Sequence, residues 1–360
     1  MKRLNIYRRR DGRWEGRISK GRDKNGKRRY NAFFGRSEEE VAAKMRAYDS
    51  YNRPVSEISV TVSQLYEEWF QKNRHRLKES TIANYTIKAE KHILPKFGSR
   101  IFTGIDASEI CHFIQMKQND GLSNRYISDI IIMMKSIFKH GFLHYHTTNP
   151  MDGITMPKKQ RSEIRLLTVD EQEHLEQYIS KNHNLTTLGI TLAKSMGLRI
   201  GEICALQWED IDLKKRTLTV KKTIQRIKSK DGSRKTKLII TDPKSETSHR
   251  IIPIPEFIVR FLKEFKGNAK DFLLSGKEKP IEPRTMQYRF SKILKNGKLP
   301  SIHFHALRHI FASNCIKLGF DIKALSEILG HSSVEITLNR YVHSSFEQKV
   351  EYMKRLKMFI

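Results

Sequence analysis

The run Leu329-Gly330-His331-Ser332-Ser333-Val334-Glu335-Ile336-Thr337-Leu338-Asn339-Arg340-Tyr341 decides how the carboxy-terminal half of the chain is read. Gly330 follows an apolar stretch and reads as a helix stop, because glycine enters the left-handed backbone region at little steric cost. Ser332 with Glu335 reads as the capping box of a new helix. Val334, Leu338 and Tyr341 then fall at i, i+4 and i+7, on one face of that helix. On periodicity alone Tyr341 reads as a core aromatic before it reads as a reactive phenol.

Three segments further upstream carry chemically capable residues. In Gly197-Leu198-Arg199-Ile200-Gly201-Glu202 an arginine follows a glycine turn at a helix start, with Glu202 one turn on to orient it. A guanidinium held that way suits a phosphate, and a surface ion pair is the plain alternative. Thr241-Asp242-Pro243-Lys244-Ser245-Glu246 reads as a turn that lifts Lys244 away from a sheet, where a lysine can donate a proton. Alone it is one lysine among many. His305-Ala306-Leu307-Arg308-His309 opens a helix with His305 and Arg308 three apart on one side and Leu307, Ile310 and Phe311 available to a core. A buried histidine would explain one of these residues but not the arginine beside it.

Composition narrows the partner. The 360 residues suffice for two or three domains, each with its own core. Lys plus Arg number 68 against 39 Asp plus Glu, a formal charge of +29 that favours a polyanion over the substrate of an ordinary small-molecule enzyme. The 3 cysteines are scattered with no C-x-x-C pair, which excludes a disulfide framework and fits a reducing compartment. No apolar leader or membrane-length apolar run is present, so a soluble cytoplasmic protein is expected. No G-x-x-x-x-G-K-[ST] or H-E-x-x-H occurs. His303, His305 and His309 lack a nearby carboxylate and have basic neighbours, which argues against zinc.

The charge is uneven along the chain. Residues 1–36 hold fourteen Lys or Arg against Asp11, Glu15 and Asp23. Asp11-Gly12 and Asn25-Gly26 separate three short stretches rich in Ile, Tyr, Trp and Phe, which predicts three strands. Ser37 through Glu40 then caps a covering helix. A basic sheet of that size can lie in a DNA major groove, with Arg8, Arg10, Arg13, Trp14, Arg17 and Arg28 as contact candidates. Residues 61–150 read as four helices opened at Thr61, Ser80, Asp106 and Ser123 and closed by Asn149-Pro150. A basic linker carrying Lys158, Lys159 and Arg161 follows. From Thr168 onward helices alternate with strands at Thr217–Val220, Lys237–Thr241 and Arg250–Ile254, with a turn at Asp231-Gly232. The fold class is therefore multidomain α+β: a three-stranded sheet with a helix, an all-α bundle, and a mainly α mixed domain. The expected boundaries are 1–56, 57–155, a linker at 156–165, and 166–360.

Arg199 in G-L-R-x-G-E, Lys244 on a β-turn, His305 and Arg308 in H-x-L-R-H, His331 in L-G-H and Tyr341 ten residues later stand together in order. That set resembles the tyrosine recombinases, specifically the lambda-type integrases of phages and conjugative elements. The resemblance implies that the three domains bind arm sites, bind core sites and catalyse strand exchange. It implies Tyr341 as the nucleophile that joins the 3′-phosphate, Arg199 and Arg308 as the phosphate clamp, His305, His331 and Lys244 as further catalytic groups, and Glu202 as support. It also implies chemistry without metal, ATP or other cofactor, and a tetramer on double-stranded DNA in a bacterial host. An excisionase and a host DNA-bending protein would be possible partners. The alternatives are a non-catalytic DNA-binding regulator on the same fold and a type IB topoisomerase-like DNA relaxing enzyme that uses similar chemistry. Phe346, Val350, Met353 and Leu356 predict a last amphipathic helix, to pack in cis or on a neighbouring protomer.

Overall fold

The structure is a computed structural model that describes residues 5–22, 26–51, 58–147, 149–158, 165–229, 235–242, 248–265, 267–341, 350 and 353–354. It divides into two compact units, Met1–Arg161 and Ser162–Ile360.

The first unit begins with an antiparallel sheet of β1 (Ile6–Arg8), β2 (Trp14–Arg22) and β3 (Arg28–Gly35) in the order β1-β2-β3, followed by α1 (Glu38–Tyr51). Ser37 caps α1, accepting from the Glu40 N–H at 3.2 Å. Strand alternation puts Trp14, Gly16 and Phe33 on the side that α1 covers. Gly16 is needed there for space: a Cβ would come within 2.7 Å of Val41 Cγ1 and 2.1 Å of Met45 Sδ. The other face carries Tyr7, Glu15, Arg17 and Phe34. Glu15 is buried and accepts from Arg17 at 2.6 Å and Arg9 at 3.1 Å, while those arginines lie over the Tyr7 and Phe34 rings.

Five helices follow: α2 (Val62–Arg74), α3 (Glu79–Lys88), α4 (Leu94–Phe97), α5 (Ala107–Asn119) and α6 (Asn124–Tyr145). Thr61 and Asp106 form complete capping boxes with Gln64 and Glu109, and Ser123 caps α6. Two boundaries differ from the sequence expectation. Lys78, in extended conformation, precedes α3, so Ser80 sits inside the first turn and is not its cap. α6 stops at His146, whose φ of 52° turns the chain before Asn149-Pro150 is reached. Met151 and Ile154 are then buried in the same core as Leu65, Phe97, Phe113 and Phe138. A π-helical turn, Ala89–Ile93, joins α3 to α4 and left no signature in the periodicity.

The second unit contains α7 (Val169–Lys181), α8 (Leu185–Met196), α9 (Ile200–Ala205), β4 (Ile211–Asp212), β5 (Thr217–Val220), β6 (Thr223–Lys228), β7 (Thr236–Thr241), β8 (Arg250–Pro253), α10 (Glu256–Lys263), α11 (Pro283–Asn296), α12 (His305–Lys317), α13 (Ile322–Leu329) and α14 (Val334–Tyr341). Thr168 caps α7 through a full box with Glu171. Strands β4-β5-β8 form one antiparallel sheet and β6-β7 a hairpin. α8 is apolar on nearly every side because α10, α11 and α12 surround it. The turn expected at Asp231-Gly232 and most of the helix expected around Phe346 and Leu356 lie outside the described residues. Among the described residues no helix is long and apolar enough to cross a membrane.

Gly16→Val overfills the space under α1, so the sheet module should lose about 1–3 kcal/mol of stability. The check is a lowered unfolding midpoint for residues 5–51 in hydrogen exchange, with the bundle unchanged.

Candidate active site

The site is assembled where two helices end. α8 closes at Gly197 (φ 66°) and α13 at Gly330 (φ 61°), both in the left-handed region that suits a helix stop. The last carbonyls of a helix need donors from outside it. Here arginines supply them. Arg308 donates from Nη1 to the Gly197 carbonyl and from Nη2 to the Leu329 carbonyl, both at 2.6 Å, and so bridges the two helix ends. Arg250 donates from Nε to the Ile328 carbonyl at 2.6 Å. Arg199 donates from Nη2 to the Gly330 carbonyl at 3.0 Å. Three consecutive carbonyls, 328 to 330, thus receive three different guanidiniums.

Glu202 holds two of these arginines from the opposite side. Its carboxylate accepts from the Arg199 N–H at 2.9 Å and from Arg199 Nη1 at 2.7 Å, which caps α9. Arg250 binds the same carboxylate with both Nη atoms, at 3.2 and 2.9 Å. Burial pushes the Glu202 carboxyl up, but the Arg250 hydrogen bonds and the charges of Arg250 and Arg199 outweigh it and hold the group at about 2. Against three guanidiniums stand one carboxylate and the partial negative charge of two helix C-termini, so the cluster stays net positive. Arg308 and Arg250 are almost wholly buried, whereas the Arg199 side chain is 35% exposed and is the most open of the three.

The structure brings together Arg199, Arg308, Glu202 and His331, the residue after Gly330. His331 is buried, with Nδ1 at 2.8 Å from Thr337 Oγ1. His305 starts α12 and is exposed, its ring edge-on to His309 at 4.9 Å between centroids. One turn later Arg308 is buried, because that part of α12 packs on α8 and α13. Tyr341 is the last described residue of α14, a helix that packs on α12 and α13, and its side chain lies outside the described part. Lys244, Lys159 and Arg161 also lie outside the described residues. Lys158 is exposed, and its carbonyl accepts from Asn124 Nδ2 at 2.9 Å. In the sheet module Arg8, Arg10, Arg13, Arg17 and Arg28 are exposed, with Arg13 paired to Asp11 at 2.8 Å, but Trp14 faces α1.

Two features of α14 correct the sequence reading. Ser333, not Ser332, is the cap: the Glu335 N–H donates to Ser333 Oγ at 3.1 Å. The inward face belongs to Thr337, which is fully buried, while Val334 and Leu338 are 36% and 41% exposed. Arg250 and Thr337 are site residues that the motif reading missed. Arg250 meets its carboxylate 48 positions away in sequence, so no local spacing marks it. The signal for Thr337 was weak but present: a polar residue one turn before Tyr341.

The sequence pattern described as the phage integrase family matches residues 165–348, just over half of the chain. The chain belongs to the phage integrase family of tyrosine recombinases. A second pattern, the phage integrase N-terminal SAM-like domain, matches residues 61–117 within the bundle. Among curated relatives, a XerC-like tyrosine recombinase of Caldanaerobacter subterraneus is 29% identical over 94% of each chain. The ICEBs1 integrase of Bacillus subtilis is 25% identical over 84% of each. Among solved structures, the Tn1549 transposon integrase in complex with a circular intermediate DNA superposes with a TM-score of 0.70 at 24% identity, covering 83% of this chain and 100% of that one. A lambda integrase dimer bound to a COC′ core site gives 0.60 at 20% identity, covering 95% and 97%. As a member of this family the chain is a recombinase that catalyses site-specific DNA recombination.

Because the Glu202 carboxyl is held below its unfolded value near 4.5, its ionic contacts add stability above that pH, and the contribution fades as pH falls toward 2. Glu202→Gln should therefore cost about 3 kcal/mol at pH 7. The gap from the unsubstituted protein should narrow between pH 4.5 and 2, read from denaturant midpoints across that range.

Proposed function

We propose that Arg199, Arg308 and His331 receive the scissile phosphodiester and that Tyr341 attacks it, joining the phenolic oxygen to the 3′-phosphate and releasing a 5′-hydroxyl. The observation that carries this reading is that Arg308 and Arg199 are tied to adjacent carbonyls, Leu329 and Gly330, immediately before His331. A guanidinium stays charged at any working pH and can bind two phosphoryl oxygens with its fork. The charge that builds on those oxygens during attack is met by groups already in place, so little reorganisation is needed. A phenol with a pKa near 10 must lose its proton during attack, and His305 is the acceptor we assign. Lys244 is the donor to the leaving oxygen. Energy stays in the phosphotyrosine bond, and attack by a second 5′-hydroxyl completes strand exchange without a nucleotide triphosphate or a metal ion.

Residues 1–56 act as the arm-site module, 57–155 as the core-site bundle and 166–360 as the catalytic domain, joined by the basic linker. The open face of the sheet, with Arg9 and Arg17 beside Tyr7 and Phe34, supports the first assignment. The DNA is double-stranded and belongs to a mobile element that the enzyme integrates and excises. The lambda integrase, similar in fold, has been seen as a tetramer bound to a Holliday junction, and the same assembly is proposed here. An excisionase and a host bending protein would complete the complex.

A nicked suicide substrate carrying the cleavage site traps the covalent protein–DNA adduct on a denaturing gel. Tyr341→Phe should abolish the adduct and leave DNA binding intact; an adduct that persists removes Tyr341 as nucleophile. Arg308→Ala should slow cleavage by on the order of 10²–10³ or more, the scale of a lost oxyanion contact. Cleavage at the original rate would remove Arg308 from the clamp.

A further inference from the structure

Thr337 is the one buried side chain among those described on α14; Val334, Glu335, Ile336 and Leu338 are all exposed. A hydroxyl buried at such a point is costly unless it is hydrogen-bonded, and a valine would fill the same volume without that cost. The bond it makes is to a single partner of chemical interest, Nδ1 of His331, at 2.8 Å. His331 follows the carbonyls that hold the arginines. Thr337 and Tyr341 are four residues apart on one helix, so they share a face one turn from each other. The contact therefore ties the helix that carries Tyr341 to the turn whose carbonyls hold Arg308 and Arg199.

Resting on the function proposed above, we propose that Thr337 is a positioning residue for strand cleavage. Its hydroxyl donates to Nδ1 of His331 and keeps the neutral ring protonated on Nε2. A neutral imidazole has one donor nitrogen and one acceptor nitrogen, and the partner at one decides the role of the other. With Nδ1 as acceptor, Nε2–H is the atom that donates to a phosphoryl oxygen. The same bond fixes the rotation of α14 one turn before Tyr341, where an error of about 1 Å costs about a hundredfold in rate.

The test compares the full chain with Thr337→Val and Thr337→Ser. Three readouts are taken: DNA affinity, the single-turnover rate of adduct formation on the suicide substrate, and 15N imidazole shifts of histidine-labelled protein without DNA, with His331→Gln assigning the resonance. Thr337→Val should bind DNA within about twofold of the parent, form adduct about 10–100-fold more slowly, and lose the Nε2–H tautomer signature of His331. Thr337→Ser should restore both rate and signature. Parental cleavage by Thr337→Val, failure of Thr337→Ser to rescue, or equal losses of binding and cleavage would overturn the proposal. If the parent itself forms no adduct, the proposed function falls. The 15N shifts still report whether Thr337 sets the tautomer, and unchanged shifts in Thr337→Val refute it.

Discussion

The carboxylate of Glu202 lies between Arg250 and Arg199, and the rest of the catalytic unit is arranged around that fact. Two guanidiniums side by side would repel; one buried carboxylate with four acceptor sites lets both remain ionised at short range. The two arginines then differ in how much of their surface stays open. Arg250 uses its whole fork on Glu202, Ser248 and Ile328 and is sealed inside. Arg199 spends one side on Glu202 and Gly330 and keeps part of its surface toward solvent. Removing one partner of such a buried pair leaves the other charged and unsolvated, which is why the pair is a constraint more than a source of net stability.

The helix ends supply the second half of the arrangement. Carbonyls at the C-termini of α8 and α13 are partially negative and lack partners within their helices. By accepting from Arg308 and Arg199 they orient the guanidiniums before any anion arrives. Carbonyl dipoles neutralise less charge than carboxylates would, so the arginines are held without being silenced. A second carboxylate at this point would hold them as well and would cancel more of their positive charge.

The parts of this architecture that were legible in the sequence are those written in adjacent residues. Thr61 with Gln64, Asp106 with Glu109 and Thr168 with Glu171 close capping boxes within three positions, and each marks a real helix start. Gly330 announces its own backbone geometry. Arg199 and Glu202 form an ion pair that their spacing already suggested. Arg250 was legible only as the first residue of a strand, since its partners come from α9 and from the end of α13. In α14 the apolar period pointed to Val334 and Leu338, and the structure instead buries Thr337. Periodicity measures where a helix could turn apolar side chains inward, and here a polar contact with His331 takes that direction. The π-helical turn at Ala89–Ile93 and the early stop at His146 depend on how the bundle packs, which local propensity does not encode.

Gly330 shows how tightly the backbone and the arginines are joined. Its φ is positive, and a methyl group placed on it would sit 2.9 Å from Arg250 Nη1. Two unrelated obstacles therefore guard the same position, one in the handedness of the chain and one in the room taken by a neighbour's side chain. Relieving either leaves the other in force: a smaller residue at 250 would admit the methyl, yet the left-handed turn would still cost about 1–2 kcal/mol. Any side chain at 330 must therefore meet both costs at once.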